Sequence, residues 1–381
     1  MAQKDKKKIL LVGQISPTTT VIFKTCQRLE NVELYYIDVN CGKSARGKGL
    51  LGRFNWLEYK DNWLDAVKEF SENCHEVFVV CVSYDVASKI YSLQQQSISM
   101  LYTSEPIIKV AQSKLLQNEI AEKSGFNLLQ TYYSHEDNFN PESYKYPLVV
   151  RPVSEHVSAN FKVEIIYQAE ELNAYSRGCD VVAQTFAQGM KVVIHASRDT
   201  KGVVSQFYYQ VPISYAGFTV LMEKIEPISE LTQPVKNMLD AIAFIGVCHF
   251  EVIENNGLFY FLDLNLRLGG TTGKAYKLGY NEFYELIKIH KIVSEKVPNK
   301  IHGDSVTVVS KVALIKALVS VLRGTWKQTD YPHRKKAQLM KLILKELIMG
   351  SDELYSVEDY KVSLFFLLDY FMRALEMIKI K

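Results

Sequence analysis

The stretch Val247–Leu268, VCHFEVIENNGLFYFLDLNLRL, limits what this chain can fold into more than any other. Two runs rich in β-branched and aromatic residues, Val247–Ile253 and Leu258–Leu266, flank Asn256-Gly257, a strong hairpin signal. Asp263, Asn265 and Arg267 recur at period two and so project from one face of the second strand. Such a face meets either solvent or something charged. The turn decides whether Glu251 joins it. A two-residue loop sets Phe250 opposite Asp263 and turns Glu251 away. A three-residue loop, Asn255–Gly257 with the glycine in αL and a bulge, pairs Glu251 with Phe261 and lays it diagonally beside Asp263. The second arrangement is the one expected. It gathers two carboxylates and an amide oxygen, a hard-oxygen set that holds Mg²⁺ while phosphates complete the shell. The competing reading is a solvated hairpin with a chance acidic pair.

The rest of the chain suits an ordinary globular protein. Its 381 residues suggest two or three domains, and 48% hydrophobic with 23% charged residues is an ordinary soluble composition. A net charge of +3 gives no argument for nucleic acid as a partner. Six scattered cysteines without a CxxC pair fit reduced thiols and a cytoplasmic location. The basic start MAQKDKKK precedes only a short apolar run, Ile9–Val12, which reads as a strand rather than a signal peptide. No uncharged run reaches transmembrane length.

Residues 1–105 alternate strand and helix signals. Strands are expected at Lys8–Gly13, Val32–Val39 and Glu76–Ser83, with helices around Val21–Leu29, at Trp63–Glu72 and from Asp85. This is the pattern of a Rossmann-like parallel α/β sheet. The segment after Gly13 is not GxGxxG, and the Gly- and Lys-rich Cys41–Arg53 lacks phosphate-loop spacing and reads as a surface loop. Glu105-Pro106 marks a boundary. Residues 106–300 then mix helices at Ser113–Ser124, Ala169–Tyr175, Leu231–Ala243 and Asn281–Val293 with strands at Tyr146–Val153, Phe161–Ile166 and Val181–Phe186. A hairpin joins Lys191–Ser197 to Val203–Val211, and Thr271–Gly279 reads as a Gly-bounded polar loop. Residues 301–381 carry helical spacing at Lys311–Arg323, Ala337–Ile348 and Val362–Ile378. The basic segment His333–Lys336, with Lys341 and Lys345, is either a solvated face or a docking face for an acidic partner or membrane surface.

Taken in order, Lys114 in SKLLQNEIAEKSGF, Arg151 in YPLVVRP, Gln184 in VVAQTFAQG, Glu251 in HFEV and Asp263-x-Asn265-x-Arg267 resemble the ATP-grasp superfamily over roughly residues 106–290. Within it, Asn265–Thr272 (NLRLGGTT) is similar to a stretch of pheganomycin-type peptide ligases. The resemblance implies an α/β and α+β architecture: a pre-ATP-grasp domain (1–105), an ATP-grasp domain (106–300) and a C-terminal helical extension (301–381). It also implies ATP and Mg²⁺, with Mn²⁺ as a substitute, and a ligase that activates a carboxylate as an acyl phosphate for attack by an amine. Glu251, Asp263 and Asn265 match metal ligands, and Arg267 matches an arginine near the transferred phosphoryl group. Lys114 and Arg151 match phosphate-binding cations; Gln184, Thr185, Phe186 and Ala187 match the hinge strand whose backbone reads adenine. Thr271, Thr272 and Lys274 are candidates for the acceptor or carboxylate pocket. Partners are then small carboxylates and amines, and dimers are common in such families.

Three departures stand against this pattern. The loop Val153–Asn160 has no glycine, leaving Ser154, His156 and Ser158 as side-chain donors; Arg151 replaces a lysine; Lys191 stands where a ribose-binding glutamate is usual. They keep a second class of function open, a nucleotide-binding module that has lost catalysis and acts through its C-terminal helices. A third alternative is ATP-grasp chemistry of another kind, forming a carbamate or thioester. His249 reads as a packed structural residue.

Overall fold

The computed structural model describes residues 6–40, 55–101, 104–153, 163–215, 217–293, 305–325, 335–355, 360–361 and 364. The expectations placed on Cys41–Arg53, on the donors Ser154, His156 and Ser158, on His333 and Arg334 of the basic segment and, but for Leu364, on a helix over Val362–Ile378 lie outside them. Among the described residues no helix is long and apolar enough to cross a membrane.

The N-terminal part forms a parallel sheet in the order β3-β2-β1-β4-β5. Its strands are β1 (Lys7–Gly13), β2 (Val32–Asp38), β3 (Asn55–Trp56), β4 (Val77–Cys81) and β5 (Ile98–Met100). β4 is buried along its whole length, as expected for a strand covered on both faces. Helix α1 (Pro17–Gln27) begins where Ser16 caps it. The Ser16 hydroxyl accepts from Thr19 N, the Thr19 hydroxyl accepts from Ser16 N, and Pro17 fills the first turn. Helices α2 (Trp63–Glu72) and α3 (Tyr84–Tyr91) follow, and the strand order reverses between β1 and β4. The crevice at such a switch point is where open α/β sheets present their functional residues. Here Ser16–Thr20 and Tyr84 stand at it.

Helices α4 (Glu105–Gln112) and α5 (Lys114–Lys123) lead to two further sheets. The smaller is antiparallel, β7-β10-β8-β9, built from β7 (Thr131–Tyr133), β8 (Leu148–Pro152), β9 (Glu164–Ile166) and β10 (Val181–Thr185), with α6 (Ala169–Ser176) against it. The larger has eight strands in the order β17-β16-β13-β12-β11-β14-β15-β6. Its centre is β11 (Met190–Arg198), β12 (Val204–Tyr215), β13 (Phe218–Ile225), β14 (Gly246–Asn255) and β15 (Leu258–Asn265); β6 (Asn127–Leu128) forms one edge. Helices α7 (Ser229–Ala241), α8 (Thr272–Lys277) and α9 (Glu282–Ile289) interrupt or follow these strands. The other edge is made by β16 (Thr307–Val309) and β17 (Ser351–Asp352), with α10 (Lys311–Arg323) and α11 (Lys336–Met349) packed between them on Ile213, Val220 and Leu221.

The chain passes from the small sheet to the large one through residues 186–189. Gly189 makes this crossing tight: a Cβ there would lie 1.6 Å from the Glu254 carbonyl oxygen, so only glycine lets the two backbones approach.

The hairpin at β14–β15 corrects one expectation. Asn255 pairs with Leu258, so the loop is the two-residue Asn256-Gly257, with φ of 54° and 77°, the mirror-image turn that matches strand twist. Glu251 nevertheless faces the same way as Asp263. The register shifts between Glu251 and Val252: Val252 pairs with Phe261 and Glu251 with Asp263, which leaves Leu262 as the extra residue of a bulge. The bulge lies in the strand rather than at the turn. The segment expected as a loop, Thr271–Gly279, holds the short buried helix α8.

Candidate functional site

A cavity of about 420 Å³ opens between the two sheets. One end is apolar, with Leu129, Val149, Met190, Val211 and Ile253 in its walls, and residues 184–187 run along it as β10 leaves the small sheet. The other end carries Arg151, Lys191, Glu251 and Asp263. Eight of the eleven candidate residues therefore line one space: Arg151, Gln184, Thr185, Phe186, Ala187, Lys191, Glu251 and Asp263.

The charged end is built around the bulge. The freed Leu262 carbonyl accepts from the Lys114 ammonium and from Arg151 Nη2 at 3.0 Å. Both cations also face Asp263 Oδ1, Lys114 at 3.7 Å and Arg151 at 3.4 Å. Lys191 lies 2.7 Å from Glu251 Oε2. Asn265 donates to Asp263 Oδ2 at 3.1 Å. Burial would raise the Asp263 carboxyl, but Arg151 and Lys114 outweigh it and hold Asp263 below the usual carboxylate range. Burial, with help from the Arg151 charge, pushes the Lys114 ammonium well down.

This set fits a hard divalent cation. Two carboxylates sit side by side as a cross-strand pair with an amide next to them, partly open to the cavity. Among the described residues no group of three or more His, Cys, Asp or Glu is placed to hold a metal ion. A metal here would take part of its shell from a bound ligand, as Mg²⁺ does with phosphates.

Arg267 stands apart from the cavity wall. Its guanidinium lies 5.1 Å from the Tyr84 ring centroid, and Nη1 donates to the Leu268 carbonyl at 3.0 Å, while Nε is buried with no hydrogen-bond partner among the described residues. The N-terminal sheet's switch point is fastened to this segment: Leu266 N donates to the Tyr84 hydroxyl at 2.6 Å, and the Thr18 hydroxyl donates to the Gly269 carbonyl at 2.6 Å.

Thr271, Thr272 and Lys274 do not line an open pocket. They turn inward and are buried. Lys274 meets Glu353 at 2.7 Å, the Thr272 hydroxyl donates to Glu282, and the Thr271 hydroxyl meets His195 Nε2 at 3.0 Å. His195 Nδ1 lies 2.7 Å from Glu282 Oε1, both side chains wholly buried. Burial raises the Glu282 carboxyl, but the facing His195 outweighs it and holds Glu282 below the ordinary range. His249 stacks on His195 at 5.5 Å; burial, then the His195 charge, brings its pKa down to about 3. It packs as a structural residue should. This buried brace was missed in the sequence. Glu282 opens a helix, where a carboxylate is unremarkable, and nothing local ties it to a histidine 87 positions earlier. The pocket wall at Pro212 did leave a signal, because a proline inside a strand marks a bulge, and β12 shifts register there.

No protein-family model and no curated protein sequence matches the chain. Solved structures do. The ADP complex of N5-carboxyaminoimidazole ribonucleotide synthetase superposes with a TM-score of 0.63 at 12% identity, covering 84% of this chain and 86% of that one. Biotin carboxylase from Campylobacter jejuni, in a β-γ-ATP complex, gives 0.60 at 12% identity over 78% and 73% of the two chains. L-amino acid ligase from Bacillus licheniformis gives 0.57 at 16% identity over 80% and 79%. The chain has the ATP-grasp fold, as its motif order led us to expect.

Proposed function

We propose that this protein is an ATP-dependent ligase that joins a carboxylate to an amine through an acyl phosphate, releasing ADP and phosphate. The observation that carries the reading is the pairing of Glu251 with Asp263 at one end of a cavity whose other end is an apolar slot beside the hinge. The slot at Gln184–Ala187 suits a flat purine, and Arg151 and Lys114 suit the phosphates that follow it. Glu251, Asp263 and Asn265 would hold Mg²⁺, which supplies charge neutralisation to the transferring phosphoryl group. Lys114 and Arg151, oriented by the Leu262 carbonyl, hold the phosphate chain in place. Arg267, whose guanidinium lies over the Tyr84 ring beyond the metal set, would offer planar donors to a carboxylate activated there. The Thr271–His195–Glu282 brace fixes the turn after Arg267.

The likeness to an amino acid ligase, a biotin carboxylase and a synthetase supports ATP-grasp chemistry and leaves the acceptor open. An ADP-release screen over amino acids and small carboxylates tests the reading. We expect turnover with at least one carboxylate–amine pair, and its loss in Asp263→Asn with an unchanged circular-dichroism spectrum. Nucleotide binding without turnover over a broad panel supports the non-catalytic module instead. Full ADP release by Asp263→Asn overturns the metal assignment.

A further inference from the structure

Lys191 occupies a singular place in the cavity. It sits on β11 opposite Ile253 of β14, two residues along from Glu251, and its ammonium reaches 2.7 Å from Glu251 Oε2. Both residues line the cavity and both side chains are partly exposed to it, at 18% and 24%. The pair is therefore a part of the ligand site and not a strut behind it. Asp263 is treated differently. Its cations, Lys114 and Arg151, stand at 3.7 and 3.4 Å and are shared with the Leu262 carbonyl. Glu251 has a close cation of its own.

We infer that the Lys191 ammonium is a resident cation of the nucleotide site, taking the place at Glu251 Oε2 that a further divalent ion would need, so that the nucleotide binds with one such ion. This rests on the ATP reading above. Mg²⁺ and Mn²⁺ require short, well-directed bonds to oxygen. An ammonium in hydrogen-bonding contact with Glu251 Oε2 takes up part of that oxygen's acceptor capacity and repels a further dication brought to it. One ion can still be held by Asp263, Asn265 and the second carboxylate oxygen of Glu251, Oε1. Lysine presents three rotatable donors, so the same ammonium that neutralises Glu251 can turn a donor toward a phosphate oxygen. It supplies charge at the phosphates without needing to be bound from solution.

The test counts ions. The protein is saturated with a non-hydrolysable ATP analogue and titrated with Mn²⁺, and free Mn²⁺ is read by electron paramagnetic resonance. Wild type is expected to hold one Mn²⁺ per bound nucleotide, Lys191→Arg also one, and Lys191→Gln two. Melting curves of each variant verify folding. A wild-type count of two overturns the inference by itself, whatever the variants do, and so does a count that stays at one in folded Lys191→Gln. Failure of wild type to bind the nucleotide at all overturns the ATP reading beneath it, a different result from binding with two ions.

Discussion

Lys114 and Glu282 are both buried charges, and they are satisfied in different ways. Lys114 is held by a backbone carbonyl and a carboxylate, both shared with Arg151. Removing its ammonium therefore leaves the Leu262 carbonyl with a donor, and the loss should fall on ligand binding. A charge-assisted hydrogen bond is worth ~1.5–3 kcal/mol. Lys114→Met is expected to raise the Kd for Mg·ATP by about tenfold or more, read by calorimetry; an unchanged Kd removes Lys114 from the site. Glu282 is wholly buried and faces His195 at 2.7 Å. Its carboxyl is held below the ordinary range because the facing His195 outweighs burial. The unfolded chain then takes up a proton near the ordinary glutamate value, about 4.3, before the native protein does. The stability from this group is full above that pH and is lost as pH falls through the folded value. Urea midpoints from pH 7 down to pH 3 should decline less steeply in Glu282→Gln than in wild type. Parallel profiles would show that Glu282 is not the group responsible. At neutral pH the variant should also be less stable, since His195 loses its anionic partner.

The crossing between the sheets is governed by one small residue. With a Cβ at Gly189 placed 1.6 Å from the Glu254 carbonyl, neither strand can keep its position. Gly189→Ala is expected to cost ~1–3 kcal/mol, the usual range for overpacking, and to weaken binding of the proposed nucleotide by displacing Lys191 and residues 184–187. Urea unfolding and calorimetry on the same sample check both. An alanine variant with wild-type stability would mean that β11 and β14 can separate freely here. What could be read from sequence follows from how local each element's cause is. Helices α2 and α10 have the bounds their apolar spacing predicts, because amphipathic periodicity is written within the helix. The hairpin was visible from Asn256-Gly257, and the shared face of Glu251 and Asp263 from the chemistry they would serve. The device that achieves it was placed wrongly, since a bulge at Leu262 depends on cross-strand pairing that no local pattern records. Helix α8 was hidden for a similar reason. Its Thr272 and Lys274 look solvent-facing until Glu282 and Glu353 arrive from elsewhere in the chain. Strands β16 and β17, three and two residues long, are too short to show an alternation.

The apolar core divides the molecule unevenly. One continuous cluster runs from Phe23 of α1 and Tyr36 of the parallel sheet through Phe283 and Tyr284 of α9 to Phe250 and Phe261 of the large sheet. Polar ties cross the same boundary, as where Asn281 donates to the Thr25 hydroxyl at 2.9 Å. The small sheet has its own cluster, Leu148, Val150, Ile166, Leu172, Val181 and Ala183, and residues 186–189 carry the chain from it to the large sheet. The cavity lies between this separate lobe and the larger body, so a ligand there contacts two units with different cores. Substitutions in each should then propagate differently. Phe283→Ala, at a wholly buried position, is expected to cost ~3–5 kcal/mol. It should speed amide exchange in β1 and β14 together, because both depend on that cluster. Leu172→Ala, expected to cost ~2–5 kcal/mol, should speed exchange in β8 and β10 and leave β1 protected. Hydrogen-exchange mass spectrometry separates these segments directly. If Phe283→Ala leaves β1 as protected as in wild type, the parallel sheet is an independent folding unit and the shared core does not couple it to the large sheet. If Leu172→Ala opens β1 as well, the small lobe is not separate, and closing it on a ligand would require the whole molecule to move.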